Sequence, residues 1–345
     1  MRMVAAEAGV SVMTVSLALR NHPSIPGRTR NRIQRIARKM NYRPNALVAT
    51  LMAQIHSRRP DSESPVLGLV RESEASDLLN SVPYYQDLLQ GARERAQALG
   101  YLLEDFFLEP GDEAGRQLHR ILHTRGIRGV ILAPVFRPGG TTTLPLDGLA
   151  SCALGYSLHE PLIHRIGSHH GQMMELVWSK LRERDYQRPG FIYTYANLER
   201  IRYGLLGGFV AQQILHPELP PVPPLILPKL PETPAEEAEC LRDFRKWFRR
   251  HHPDVLVAPP WVLMDGIRRL IRIPEEAGAI FFDYGLGWTE VREQAEHIGS
   301  GAVDVVVAQI HRNETGVPPF PKTVSINATW IEGDTLPPRK APVAK

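Results

Sequence analysis

A chain of 345 residues, 43% of them hydrophobic, can bury a large core, and at roughly 100–200 residues per domain it holds two or three compact units. Its formal net charge of +4 is unevenly spread: residues 1–60 carry eleven Lys or Arg against the single acid Glu7, a local charge of +10, while the remainder holds 30 bases and 36 acids. A basic block on a mildly acidic body is the footprint of a polyanion-binding module, although charge alone also fits a solvated basic face. Cys152 and Cys240 are the only cysteines, which excludes a disulfide framework and a multi-thiolate metal site and suits a reducing compartment. The N-terminus has no continuous apolar h-region, and no apolar run approaches the roughly 18 residues of a membrane span, so the expected location is the cytoplasm, away from membranes.

In chain order, Val4 to Ala8 reads as a short helix broken by Gly9, which tolerates the positive φ of a tight turn. Ser11 is placed as the N-cap of a second helix, from about Val12 to Arg20, that stops at Asn21-His22-Pro23. A third helix spans about Pro26 to Asn41, with Ile33, Ile36, Ala37 and Met40 on one apolar stripe and arginines on the other faces. Three short helices with a glycine turn make a helix-turn-helix head, and Val15 and Leu19 are expected in its core.

After Tyr42-Arg43-Pro44, Asn45 is a good N-cap for Ala46 to Ala53, a two-turn segment too short to be stable alone. Ser57 to Pro65 is charged and rich in Pro and Ser, as a linker is. From Pro65 onward short apolar strands alternate with amphipathic helices. Strands are expected at Val66–Val70, Tyr101–Phe107, Gly129–Ala133, Ser151–Gly155, Gly190–Tyr193, Leu225–Leu227, Val255–Ala258 and Ala279–Phe282. Helices are expected at Tyr84–Leu99, Glu113–Thr124, Gly171–Arg184, Arg202–Ile214, Thr233–Arg250, Trp261–Ile271 and Ala295–Ile310. Such alternation predicts an α/β body of two lobes, each a doubly wound parallel sheet, with a ligand cleft at the carboxyl ends of the strands.

Other signals carry less. His119 and His123 lie at i, i+4 but enclose Arg120 where a zinc protease has its glutamate, so a solvated helix face is the better reading and no metal is expected. His169-His170 and His251-His252 lack companion ligands. No phosphate loop, dinucleotide fingerprint or nucleophile elbow occurs, so neither catalysis nor a cofactor is expected.

The run AEAGVSVMTVSLALRNHPSI followed by YRPNALVATL resembles the LacI/GalR family of bacterial transcription regulators, and the ending IGSGAVDVVVAQIHRNETGVP through INATWIEGDTL is similar too. The resemblance implies a helix-turn-helix DNA-binding domain at 1–45, a hinge helix and linker at 46–64, and a periplasmic-binding-protein-like core at 65–337. Lobe 1 would take about 65–158 and 287–317, lobe 2 about 159–286 and 318–337, with a tail at 338–345. It implies a homodimer on a pseudo-palindromic operator. The second helix would read the major groove through Val12, Met13 and Leu17. All three are apolar, so they could contact thymine methyls but make no bidentate hydrogen bonds. Ser11, Thr14 and Ser16 could reach phosphate. Asn45 would open the hinge helix, and Leu51 would wedge into the minor groove.

For the effector the resemblance points to Tyr84, Tyr85 and Asp283, with a sugar as one ligand class. Two positions depart from it. Leu205 stands where the family has an arginine, with Arg202 one turn earlier on the expected helix, and Pro259-Pro260 followed by Trp261 replaces an Asn-Asp pair. The family also has an N-capped start before its first helix, so translation is expected to begin upstream of Met1. The competing classes are a solute-binding receptor, whose discriminator is a secretory signal, and a sugar-nucleotide or phosphoryl-transfer enzyme, which needs a phosphate loop or paired acids in the cleft.

Overall fold

The inner strands of the body are buried on both faces, whereas edge strands such as Thr323–Ile326 stay largely exposed. In the computed structural model, which describes residues 2–19, 24–40, 64–137, 139–259, 262, 265–282 and 287–339, the head comprises α1 (Arg2–Ala8), α2 (Val12–Leu19) and α3 (Gly27–Lys39). Val4, Ala5, Ala8, Val15, Ala18, Ile33 and Ala37 form its core, with Leu19, Ile36 and Met40 packed against it. The turn after α1 is a Schellman motif: Gly9 has φ +60°, its N–H donates to Ala6 O, and Val10 N–H donates to Ala5 O.

The first lobe runs β1 (Val66–Glu72), a 3₁₀ turn (Ser73–Ala75), α4 (Ser76–Ser81), α5 (Pro83–Ala98), β2 (Leu102–Leu108), α6 (Asp112–Thr124), β3 (Gly129–Leu132), β4 (Ala150–Leu154) and β5 (Arg165–Ser168). The second runs α7 (His170–Glu183), β6 (Pro189–Thr194), α8 (Tyr195–Arg200), α9 (Gly204–Leu215), β7 (Leu225–Leu227), α10 (Pro234–His251), β8 (Val255–Ala258), α11 (Asp265–Arg268), β9 (Gly278–Phe282) and β10 (Glu290–Arg292). The chain returns to the first lobe for α12 (Ala295–Arg312) and β11 (Thr323–Ile326), then closes the second with β12 (Thr329–Ile331).

The sheets have orders β11-β5-β4-β3-β1-β2 and β12-β10-β9-β8-β6-β7. The first is parallel throughout, whereas β12 pairs antiparallel with β10 at the edge of the second, a departure from the all-parallel expectation. In β1, Leu67 and Leu69 pack under α5 and α12, while Val70 faces α6. In the second sheet Phe191 and Tyr193 face α7 and α9, and Ile192 faces α10. Both faces are thus apolar, as helices on both sides require.

The α5–α12 packing is unusually close. A Cβ on Gly91 would lie 2.1 Å from Glu296 O, and one on Gly299 would lie 1.9 Å from Leu88 O, so both contacts need glycine.

Several boundaries differ from expectation. Strand β5, which the expected lobe boundary at 158/159 puts in lobe 2, pairs with β4 in the first sheet. Strand β10 lies in the second sheet rather than in lobe 1, and β11 in the first rather than in lobe 2. The three crossings between lobes therefore fall at 168–170, 292–295 and 326–329. The helix expected over 202–214 begins two residues later, as α9, because Arg202 (φ +54°) and Tyr203 (φ +57°) are left-handed and separate it from α8, a short helix that was not expected. Where Trp261–Ile271 was expected to be helical, the described helix is the four-residue α11.

Candidate DNA-reading head and interlobe cleft

The head presents α2 on a frame that its own side chains lock. Ser11 Oγ accepts Thr14 N–H at 3.0 Å and lies 2.9 Å from Thr14 Oγ1, so Ser11 caps α2 as its position before the apolar run suggests. From α3, Arg32 donates to Ala8 O and Gln34 to Ala18 O, each at 3.1 Å, closing the carbonyl ends of α1 and α2. Arg32 is thereby a structural residue. Met13 is 65% exposed, Thr14 and Leu17 are half-buried, and Val15 on the opposite face is fully buried. Val12 and Ser16 lie on the same helix. The cap thus orients a helix that turns Val15 and Ala18 inward and leaves Met13 exposed.

The cleft is built from strand ends and crossings. At the end of β1, Glu72 accepts Phe136 N–H at 2.8 Å and pairs with Arg137, which pins the segment after β3. Tyr84 and Tyr85 open α5 edge-to-face at 5.3 Å, and Tyr85 meets Phe136 at 5.6 Å. From the second lobe, the Arg200 guanidinium stacks 4.0 Å above the Phe136 ring and donates to Asn197 Oδ1 at 3.1 Å. Arg202 reaches across to donate to His159 O at 3.1 Å. Two side chains therefore bridge the lobes from the left-handed break and the helix before it.

Glu293 sits on the second crossing and accepts hydrogen bonds from Tyr84 OH at 3.2 Å and from Ser168 Oγ, which ends β5 on the first crossing. Burial pushes its carboxyl above the usual range, against the opposing pull of those hydrogen bonds. Beside it, Tyr156 OH donates to Ser168 O at 2.8 Å, and the Tyr156 ring lies 4.9 Å from His170. Burial, with a smaller contribution from His169, lowers the His170 pKa to about 4. Hollows of about 410 Å³ beside α5 and 270 Å³ beside α6 lie on outer faces of the first lobe, away from this cluster.

Of the residues marked for the effector, Tyr84, Tyr85 and Arg202 converge on this interlobe region. Leu205 is buried in the core of the second lobe, and Arg202 is not on its helical face as expected, since the left-handed break turns it toward His159. Asp283 and Trp261, like Asn45 and Leu51 of the hinge segment, lie outside the described residues. Glu293, Ser168, Arg200 and Phe136 were not marked from sequence; an acid immediately before a helix was the only available sign of Glu293.

Residues 1–45 match the family described as bacterial regulatory proteins, lacI family. The head is a lacI-family head. A curated relative, the HTH-type transcriptional regulator DegA of Bacillus subtilis (strain 168), is 28% identical over 130 residues, 38% of this chain and about a third, 34%, of the relative's length. Among solved structures, the lac repressor dimer bound to operator and the anti-inducer ONPF superposes with TM-score 0.57 at 15% identity, over 97% of this chain and 98% of that one. The transcriptional regulator CelR in complex with cellobiose gives 0.56 at 18% identity, over 96% and 98%. These likenesses establish that the lacI-family head is carried on a two-lobed α/β core of the same fold. Among the described residues no helix is long and apolar enough to cross a membrane.

Proposed function

We propose that the chain is a cytoplasmic, homodimeric transcription regulator whose lacI-family heads read a pseudo-palindromic operator and whose interlobe cleft binds a small-molecule effector, with carbohydrate as one class. The observation that carries it is a Ser11-capped α2 with Met13 exposed, in a strongly basic segment that matches the lacI family. The arginines supply attraction to any duplex by neutralising phosphates. Val12, Met13 and Leu17 supply specificity through methyl contact and steric exclusion. Ser11, Thr14 and Ser16 set register on phosphates, and Asn45 and Leu51 belong to a hinge helix whose leucine wedges the minor groove. Tyr84, Tyr85, Arg202, Trp261 and Asp283 surround the effector. The reading assigns no catalytic step and no cofactor.

Because three crossings join the lobes, a ligand that changes their angle changes the spacing of two hinge segments in a dimer, and operator and effector affinities are coupled, typically by about 1–3 kcal/mol in each direction. The lac repressor bound to operator and anti-inducer, and CelR bound to cellobiose, share this fold and support both partners. Selection of bound duplexes from a random DNA pool tests the reading. An inverted-repeat consensus is expected, and recovery of no consensus refutes it.

A further inference from the structure

Among the described residues two arginines are buried, Arg71 and Arg165, and their surroundings differ. Arg71, 4% exposed, is held by Asp105 at 3.2 Å, by Asn80 at 2.6 Å and by Ser76 O, and Arg93 shares the same aspartate. Arg165 is as deeply placed, 5% exposed, yet its guanidinium makes a single hydrogen bond, to Tyr156 O at 3.3 Å, and no carboxylate among the described residues pairs with it. Its remaining guanidinium nitrogens are not sealed inside the protein, so this partly desolvated charge is open to a counter-charge from outside the chain.

The surroundings supply more cations instead. Arg202 reaches the same loop, donating to His159 O three residues beyond the Tyr156 carbonyl that Arg165 bonds; it is exposed and makes no other side-chain hydrogen bond among the described residues. Arg200, on Phe136, has no acid among the described residues, and its buried Nε has no hydrogen-bond partner. The His159 Nε2 is likewise buried without one. Arg165 belongs to the first lobe, whereas Arg200 and Arg202 come from the second. Among the described residues, Glu72 is engaged by Arg137, and Glu293 by Ser168 and Tyr84.

We propose that Arg165, Arg202 and the His159 loop form an oxyanion subsite between the lobes, so that the effector carries a phosphate or carboxylate group. The guanidinium fork suits either group, and binding there supplies the missing counter-charge while clamping one lobe to the other. This deepens the regulator reading and rests on it for the word effector, whereas the subsite itself rests on the unpaired arginines.

The test uses the full chain titrated with inorganic phosphate and with malonate to 50 mM, ionic strength held constant with chloride, the readout being the thermal midpoint and tryptophan emission. A saturable rise with at least one anion is expected, and which one responds separates phosphate from carboxylate; glucose 6-phosphate against glucose, and gluconate against glucose, repeat the comparison on a neutral body. Arg202→Gln, at an exposed position, should weaken the response at least ten-fold. Arg165→Met should abolish it while leaving the anion-free midpoint unchanged or higher, because an uncompensated charge has been removed. Arg116→Gln on the outer face of α6 should change nothing. No saturable response to either anion, or equal responses in wild type and Arg202→Gln, overturns the subsite. Failure of duplex selection with an intact anion response would instead remove the regulator reading and leave the subsite standing.

Discussion

Histidine 170 offers a sharp check on the packing of the second lobe. It opens α7, its ring faces Tyr156, and a Cβ on Gly204 would lie 2.2 Å from its Nδ1, so there is little room for water around the imidazole. Its pKa is lowered to about 4, chiefly by burial and then by the charge of His169. A group with a depressed folded pKa that is buried neutral contributes stability above its ordinary pKa, near 6.5, and loses it as the pH falls toward 4. At about 1.4 kcal/mol per pH unit, the loss reaches about 2 kcal/mol at pH 5 and about 3 kcal/mol below pH 4. His170→Gln removes the titration. Urea unfolding followed by tryptophan emission is a suitable assay, because no tryptophan precedes Trp178 in the sequence and Trp178 and Trp247 are buried in the second lobe. Between pH 7.5 and pH 5 the wild type should lose about 2 kcal/mol more than His170→Gln. Parallel pH dependences in the two proteins would show that the imidazole is hydrated and the packing account wrong.

Other outcomes follow from single contacts. Ser11→Ala removes the cap of α2, at a cost of typically ~1 kcal/mol, so affinity for the selected duplex should fall roughly five-fold, with Ser11→Thr close to wild type in the same anisotropy titration. Gly299→Ala drives a methyl into Leu88 O and should lower the stability of the first lobe by about 1–3 kcal/mol or more, measured by amide exchange of α5 and α12. Glu293 has a raised folded pKa, so its stabilisation is present at low pH and lost as the pH rises through that value; Glu293→Gln should flatten the decline in denaturation midpoints as the pH rises above the ordinary carboxylate range. Leu51→Ala should weaken binding to the selected duplex far more than to random DNA, and equal losses on both would remove the wedge role.

The head was readable because each of its devices is local. Ser11 precedes an apolar run, Gly9 follows a short one, and the Ile33/Ala37 stripe repeats at helical spacing, so capping and burial follow from neighbours in sequence. Strands such as β8, VLVA, announce themselves by continuous apolar character, which two covered faces demand. Strand β5, RIGS, and strand β10, EVR, do not, since they are short, polar and held by partners distant in sequence. The cleft was harder for the same reason. Tyr84 and Tyr85 lie in the interlobe region, but Arg202 sits on a left-handed break that no periodicity reveals, and Glu293 meets Ser168 only because two crossings lie side by side. The unpaired state of Arg165 is a property of its three-dimensional surroundings alone.

On the proposed function recognition is divided, with apolar readers on α2 specifying a DNA site and the surrounding arginines providing sequence-blind attraction. This division is tested most directly by the ratio of affinities for the selected inverted repeat and for the same duplex with both half-sites scrambled, each at 50 and 200 mM salt. Both affinities should fall with salt while the ratio stays on the order of a thousand or more. A ratio near one at both salts would mean that the head neutralises phosphates and reads nothing.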